Sequence, residues 1–486
     1  MPIYQKKGDR MNNKQYFEFF SHDQLEMIHK NSIEILARNG VKVKNDKALR
    51  IFRENGCNVN TETKQVTFPE EIVKKALATA SETFTFYGRD PQYDITLPKD
   101  GPAFGLSGEA PHVIDMETGA AVPATKVDLV NLAHLHQECA GFDIATIALV
   151  VNDPAGIIRT ELYPTIMHCA KPIRFGPNFV ENAKEALKMC SMIAGSEEAF
   201  IKRPFVTFFA CPMISPLTMD ENSTEVVMYL VEKGLPVHFQ IVPNAGITSP
   251  LSLTATVTQA NAEFLATYVL CHMITPGTPM LYSTLPTVAD LRSGAYATGG
   301  IENGMMIAAL SQLARYYKLP SAGIAGMTNS KTVDVQAGYE LVQTTLTAVM
   351  GGTDFLEFGA LLDALISFDY AHFMITDEVA KIIKFLKKGF EDPSTTAPAM
   401  EALYEVGSGG DFLTQQHTVD NIRKVAFNKP LSDRKPRSAW ALDGGITAFD
   451  MAKESAKKVM AKENTVALAP EIVEKLNQEF PNLPKF

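Results

Sequence analysis

This chain has one tryptophan and six cysteines, and none of the cysteines forms a C-x-x-C pair. Cys57, Cys139, Cys169, Cys190, Cys211 and Cys271 are scattered, which argues against a disulfide framework or a paired-cysteine zinc site and suits a reducing compartment. No apolar run approaches the ~18 residues that a membrane-spanning helix needs. The N-terminal stretch is rich in Lys, Asn and Gln and lacks the apolar segment of a secretory signal. Basic charge is also scarce: 45 Lys and Arg stand against 55 Asp and Glu, a formal charge of −10, with no basic stripe. Phosphate contacts require clustered Lys and Arg, so this composition argues against a nucleic-acid partner. The expectation is a cytoplasmic protein with no membrane or nucleic-acid partner.

Several catalytic signatures are missing as well. No G-x-G-x-x-G follows a first strand, no G-x-S-x-G elbow occurs, and there is no H-E-x-x-H. His134 and His136 are spaced i, i+2 on a predicted helix and point to different faces. The neighbours His168–Cys169 and Cys271–His272 meet the same objection. A zinc site gathered from His238, Glu357 and Cys211 at distant strand ends stays open as an alternative.

What is present is a long chain of 486 residues with 46% hydrophobic content, enough for a large core. Three segments are expected. Residues 1–95 read as an N-terminal helical or α+β cap. Within it, 22–39 and 45–55 are helices, the first capped by Ser21 and stopped by Gly40, and 65–68 then 69–80 are strand and helix. From about residue 100 short apolar runs alternate with helical patterns, the rhythm of βα units. Strands are predicted over 103–106, 144–151, 173–176, 206–210, 237–242, 280–283, 322–326 and 355–358. Eight such units predict an α/β fold, a (β/α)8 TIM barrel over 96–392, which fits the ~250 residues that this fold requires. Residues 393–486 read as a C-terminal helical extension packing on the barrel, entered through a Pro/Ser/Thr-rich connection.

Active sites of such barrels lie at the carboxyl ends of the strands. The candidates there are Phe104, Glu109, Arg174, Phe175, His238, Gln240, Tyr282, Phe355 and Glu357. The densest polar stretch is G-M-T-N-S-K-T-V-D-V-Q-A-G-Y-E, residues 326–340, which adds Asn329, Lys331, Tyr339 and Glu340. Rings near strand ends, among them Phe104, Phe175, Tyr282, Tyr339 and Phe355, suggest an aromatic cage for a quaternary ammonium; alternate strand residues also simply fill a barrel interior. Lys331 at a strand end is the one candidate Schiff-base lysine, and pairing with Asp334 is its plainer reading.

The 326–340 segment resembles the trimethylamine methyltransferase superfamily. So, in the same order, do G-P-A-F-G-L-S-G-E-A-P-H-V-I-D (101–115), K-P-I-R-F-G (171–176) and P-V-H-F-Q-I-V-P-N-A-G-I-T-S-P (236–250). G-G-T-D-F-L-E-F-G-A-L-L-D (351–363) and G-G-D-F-L-T-Q-Q-H-T (409–418) complete the set. The resemblance implies a barrel enzyme that moves a methyl group from an amine to the Co(I) of a separate corrinoid protein, from which tetrahydrofolate receives it through another enzyme. The trimethylamine enzymes proper carry pyrrolysine. This sequence has no non-standard residue and is similar to the pyrrolysine-lacking branch, whose donors are glycine betaine, proline betaine, carnitine or γ-butyrobetaine. On that reading no residue need act as a catalytic acid or nucleophile, and Arg174, His238 or Lys331 would hold a carboxylate. The chain lacks a D-x-H-x-x-G cobalamin pattern, so the corrinoid (cobalamin) is expected on the cognate partner protein and no cofactor or metal on this chain. A homo-oligomer is compatible with the barrel. The alternatives are a non-catalytic quaternary-amine binding protein and a barrel lyase or aldolase using Lys331.

Overall fold

The computed structural model of the chain describes residues 16–425 and 431–485. The first fifteen residues of the expected cap therefore lie outside the described residues. The core is an eight-stranded parallel sheet made of β1 (Ala103–Gly105), β2 (Ala145–Thr146), β3 (Ile173–Phe175), β4 (Val206–Ala210), β5 (Val237–Ile241), β6 (Tyr282–Thr284), β7 (Ser321–Ala325) and β8 (Phe355–Phe358). The strand order is β1-β8-β7-β6-β5-β4-β3-β2. The sheet is drawn shut between its end strands, because the Ile144 N–H donates to the Phe104 carbonyl at 3.0 Å. The Phe104 N–H in turn donates to Asp143 Oδ2 at 2.9 Å. The result is a TIM barrel with a helix after every strand. Strand pairing near 144–151 is shorter than the apolar run suggests, because only Ala145 and Thr146 pair with β3 before the chain bends away.

The helices form where capping residues precede apolar repeats. Asp220, Ser252, Asp334 and Asp369 each accept a backbone N–H from the first turn they cap. Thr125 and Asp128 form a capping box. Each such cap contributes about 1 kcal/mol. The helix after β5, Leu253–Ile274, is buried continuously from Thr256 to His272. A helix apolar on all sides needs cover on all sides, and the N-terminal helix His22–Arg38 supplies it by packing along this one.

The N-terminal segment is woven into the barrel. Strands Val41–Val43, Gln65–Thr67 and Asn58–Asn60 share a sheet with Met213–Ile214 and Thr218–Met219 from the loop after β4. A second hairpin, Phe84–Phe86 with Ile95–Leu97, closes the barrel floor. Its Phe84, Phe86 and Leu97 pack with Ala103, Ile144, Leu281, Ala322 and Phe355, all buried. At the other terminus, helix Ala448–Met460 packs on the helices Lys126–Glu138 and Tyr370–Lys388, and Pro470–Glu479 packs on Val180–Ala194. The intervening stretch is tied to the body through Glu378, whose carboxylate accepts from Leu431 N–H and Ser432 Oγ, both at 2.9 Å. Among the described residues no helix is long and apolar enough to cross a membrane.

Candidate functional site

Side chains alternate along a strand, so one residue of known direction fixes the rest. On β8 (Phe355-Leu356-Glu357-Phe358), Phe355 lies in the floor cluster, which aims Glu357 into the barrel and Phe358 outward. Arg174 on β3, His238 and Gln240 on β5 and Ser283 on β6 meet Glu357 there. Arg174 Nη2 lies 3.1 Å from Glu357 Oε2. Gln240 Nε2 donates to Glu357 Oε1 at 3.1 Å, and His238 Nε2 lies 3.4 Å from the same oxygen. His238 Nε2 also shares a 3.0 Å hydrogen bond with Ser283 Oγ. The Arg174 guanidinium lies 3.5 Å from the centroid of the Phe209 ring, and that ring meets His238 edge-on.

Glu357 and His238 are fully buried and Arg174 is 4% exposed, so this is an ion pair out of water. Burial pushes the Glu357 carboxyl up to about 7, with the Arg174 charge pulling the other way. Burial, and then Arg174, holds His238 well below the usual imidazole range, so it is neutral. Arg174 Nε and His238 Nδ1 are buried and have no hydrogen-bond partner among the described residues.

Three further groups surround this pair. Glu109 follows β1, and a Cβ on Gly176 would stand 3.1 Å from its Oε1, so glycine there leaves room for the carboxylate beside the end of β3. Burial raises Glu109 and Arg174 lowers it. Glu161 sits in a π-helical turn, Ile158–Leu162, a rare geometry that occurs frequently at functional sites. Burial first, and the Glu109 charge second, push Glu161 up to about 8. The Cys211 thiol, just past β4, is pushed up to about 12 by burial while sensing Arg174, Glu109 and Glu357. Glu109 and Cys211 nonetheless keep exposed surface, the combination expected of groups lining a deep chamber. Above them Leu285, Ile324 and Met327, with Val242 and Leu365, form an apolar shoulder.

The structure thus brings Glu109, Arg174, His238, Gln240, Phe355 and Glu357 together, with Phe355 at the floor. It does not assemble an aromatic cage from the expected rings. Phe104 packs outward against Phe358, Phe175 against Phe208, and the Tyr282 hydroxyl donates to Asn261 in the surrounding helix layer at 2.8 Å. The reason is alternation: Phe175 follows the inward Arg174 and Tyr282 precedes the inward Ser283. Tyr339 is 53% exposed on the face of its helix. Phe209, which does reach the chamber, and Glu161 were not among the expected residues.

The 326–340 segment is engaged with itself and its neighbours. Glu340 accepts from Thr328 Oγ1, Asn329 N–H and Gln336 Nε2. Asn329 accepts from Gly299 N–H and donates to the Tyr296 carbonyl. Lys331 is on the exterior, donating to the Asn329 carbonyl and facing Asp363 at 3.4 Å rather than Asp334, which is occupied as a helix cap. Among the described residues no group of three or more His, Cys, Asp or Glu is arranged to hold a metal ion.

The strand ends of the eight-stranded barrel thus gather three carboxyl groups, an aromatic ring and an engaged guanidinium. Comparison with known proteins places the chain in a family. The chain belongs to the trimethylamine methyltransferase (MTTB) family, which it matches over residues 4–481. It is 30% identical over 464 residues to a glycine betaine methyltransferase of Desulfitobacterium hafniense (strain Y51), covering 95% of this chain and 96% of that protein. It is 29% identical over 470 residues to the trimethylamine methyltransferase MttB of D. hafniense (strain DSM 10664 / DCB-2), covering 95% and 94%. The trimethylamine methyltransferase MttB of Methanosarcina barkeri is 28% identical over 463 residues, covering 93% and 92%.

Proposed function

We propose that this protein transfers a methyl group from a zwitterionic quaternary amine, glycine betaine first, to the Co(I) of a corrinoid carried by a separate protein. The observation that carries this reading is the chamber's two-signed polarity. Glu109 offers a cation a carboxylate, with Glu161 held protonated beside it by burial and by the Glu109 charge, and the unpartnered Nε edge of buried Arg174 faces an anion. Arg174 keeps one amino group on Glu357 while its fork offers the rest to a carboxylate. Neutral His238 and exposed Lys331 are poorer carboxylate partners than Arg174.

The corrinoid supplies, when docked, a nucleophile for the methyl carbon. The C–N bond breaks with its electron pair returning to nitrogen, and a neutral tertiary amine leaves. No general acid is needed, and the chain's task is to orient the substrate and exclude water. Positive charge leaves the nitrogen during transfer, so a tight grip on the cation alone would slow the reaction. One buried carboxylate with a neutral carboxyl beside it holds the ammonium moderately, and orientation comes from the substrate's own carboxylate end.

The barrel mouth suits a docking partner. Val150, Phe179, Ile214, Ile247, Leu291 and Ile366, from six different strand-to-helix loops, are all exposed. Apolar side chains ringed by polar ones mark interaction surfaces.

The test is anoxic methyl transfer with glycine betaine, proline betaine, carnitine, γ-butyrobetaine and trimethylamine as donors, followed by loss of the Co(I) absorption. Turnover with one betaine and none with trimethylamine is expected. Tight betaine binding without turnover, repeated with the cognate corrinoid protein, would instead make this a binding protein. A substrate adduct trapped by borohydride on Lys331 would make it a lyase.

A further inference from the structure

The barrel interior is unequally filled. The sector from β4 to β6 supplies Phe209, His238, Gln240 and Ser283, each engaged with Arg174, Glu357 or one another. The opposite sector, β1 and β2, lies between the strands that carry Glu357 and Arg174. Alternation identifies what it presents. Ala103 and Ile144 pack in the floor cluster, so Gly105 and Thr146 face inward one layer higher. Leu106 and Ala145 pack in the outer core instead, which turns Ser107 inward as well. Ladder register sets Thr146 level with Arg174 and Gly105 level with Glu357. A Cβ on Gly105 would stand 3.0 Å from the Phe355 ring and 3.3 Å from Thr146 Oγ1. The ring and the hydroxyl therefore meet at the foot of this sector with no β1 side chain between them.

Thr146 is 1% exposed and Ser107 is fully buried. Neither hydroxyl has a hydrogen-bond partner among the described residues, and Arg174 Nε has none either. A buried donor without an acceptor is costly and calls for an explanation. Here three of them, on adjoining strands, line one sector of one chamber.

From this we infer that Ser107 and Thr146 bind substrate, their hydroxyls donating, together with Arg174 Nε, to the carboxylate of the quaternary amine. The inference rests on the proposed turnover of a zwitterion. A carboxylate has two oxygens and about four lone-pair directions, so one guanidinium edge leaves acceptors unfilled. Nor does Arg174 attract it with a full charge, since Glu357 at 3.1 Å already balances that charge. Neutral hydroxyls add donors without adding a cation that would repel the ammonium in the same chamber. The chain after β1 then serves both ends of the substrate: Ser107 the carboxylate, and Glu109, two residues on, the ammonium. An amine that lacks a carboxylate leaves these donors unpaired. A site built to hydrogen-bond a group discriminates strongly against the analogue without it.

The test is calorimetric titration of the full-length protein with glycine betaine and with choline, which keeps the trimethylammonium and replaces the carboxylate by a hydroxymethyl group. The melting temperature is the fold control. Thr146→Val keeps the side-chain shape and removes the hydroxyl. It should weaken glycine betaine binding about tenfold, roughly 1.4 kcal/mol, and leave choline binding within about twofold. Ser107→Ala should show the same contrast, and Thr146→Ser should restore betaine binding. Betaine binding unchanged in both Thr146→Val and Ser107→Ala overturns the inference and leaves the proposed function standing. Equal weakening of both ligands also overturns it, because a merely structural hydroxyl does not distinguish them. A wild type that binds neither ligand defeats the proposed function, and titration with acetate then decides the carboxylate site by itself. Acetate binding that Thr146→Val weakens about tenfold, again roughly 1.4 kcal/mol, upholds the site for another carboxylate. Acetate binding indifferent to the variant, or none at all, overturns it.

Discussion

The segment 326–340 and the barrel interior are the two most polar regions near the mouth, and they use polarity in opposite ways. In 326–340 almost every polar group is satisfied by a near neighbour. Its backbone also holds the loop after β8, where Asp363, Ala364 and Leu365 all have left-handed backbones. Asp363 N–H donates to the Ser330 carbonyl at 2.7 Å and Ala364 N–H to the Thr328 carbonyl at 2.9 Å. Non-glycine residues in that region are strained by roughly 1–2 kcal/mol each, and these bonds help retain them. In the interior the polar groups are few, distant in sequence and incompletely matched: Arg174 Nε, His238 Nδ1 and Glu357 Oε2 lack hydrogen-bond partners among the described residues. Density of polar residues marks a brace here, and unmatched buried polarity marks the site.

The comparison is broken most severely by removing the buried cation. Arg174→Met leaves Glu357 with its charge uncompensated, and breaking a buried pair from one side typically destabilises by about 3–5 kcal/mol. Methyl transfer should fall below detection, and the melting temperature should drop. Adding Glu357→Gln to Arg174→Met should restore much of the melting temperature and none of the activity. Recovery of activity in the double variant would show that the pair only holds the fold.

Glu340→Ala tests the brace. It strands the Thr328 hydroxyl and the Asn329 N–H, and unsatisfied buried groups cost about 1–3 kcal/mol each. The expected signature is a loss of about 2–3 kcal/mol in chemical denaturation, with a smaller change in KM than in stability. Glu109→Gln should do the converse. It removes a carboxylate facing the cation, so KM for a betaine should rise about tenfold, roughly 1.4 kcal/mol, while the melting temperature holds. If Glu340→Ala moves KM more than Glu109→Gln does, the two regions have been assigned the wrong way round.

Much of this contrast is written in the strands. An isolated charge on an apolar strand sets the inward face, so Arg174 implies an outward Phe175 and Glu357 an outward Phe358. Counting rings near strand ends without that parity yields a cage the fold does not build, and overlooks Phe209, which shares the inward parity of Thr207. The eight strands, the helix caps and the barrel itself follow from alternation and capping residues. The floor hairpin was also readable, since F-T-F and I-T-L alternate on either side of a Pro- and Asp-containing turn. Glu161 was not readable, because a π turn has no sequence signature that separates 158–162 from ordinary helix. Nor does spacing reveal that Lys331 faces Asp363, a contact made only when the loops of β7 and β8 meet.

The pH response separates the regions more finely. Glu161 is raised from 4.5 to about 8, so the folded chain keeps a proton that the unfolded chain releases between those values. Stability must therefore fall as pH rises through that window, with a slope approaching about 1.4 kcal/mol per pH unit from this group. Glu161→Gln should flatten that slope in denaturation curves between pH 5 and pH 8 and raise stability at the alkaline end. An unchanged slope would mean that Glu161 is solvated in the folded protein and does not line the chamber.

The smallest effect is expected at Lys331. Its side chain is 71% exposed and its partner Asp363 is 43% exposed, and exposed ion pairs contribute about 0–1 kcal/mol. Lys331→Ala should leave kcat and KM for a betaine within about twofold, a difference of roughly 0.4 kcal/mol. Stability should also hold, because the backbone bonds of 328 and 330 retain the β8 loop without the lysine. A large loss of kcat would be informative in a particular way. It would mean that the most conspicuous sequence element is chemical after all, and that the brace and the site are one device in which the loop carries a reacting amine to the mouth.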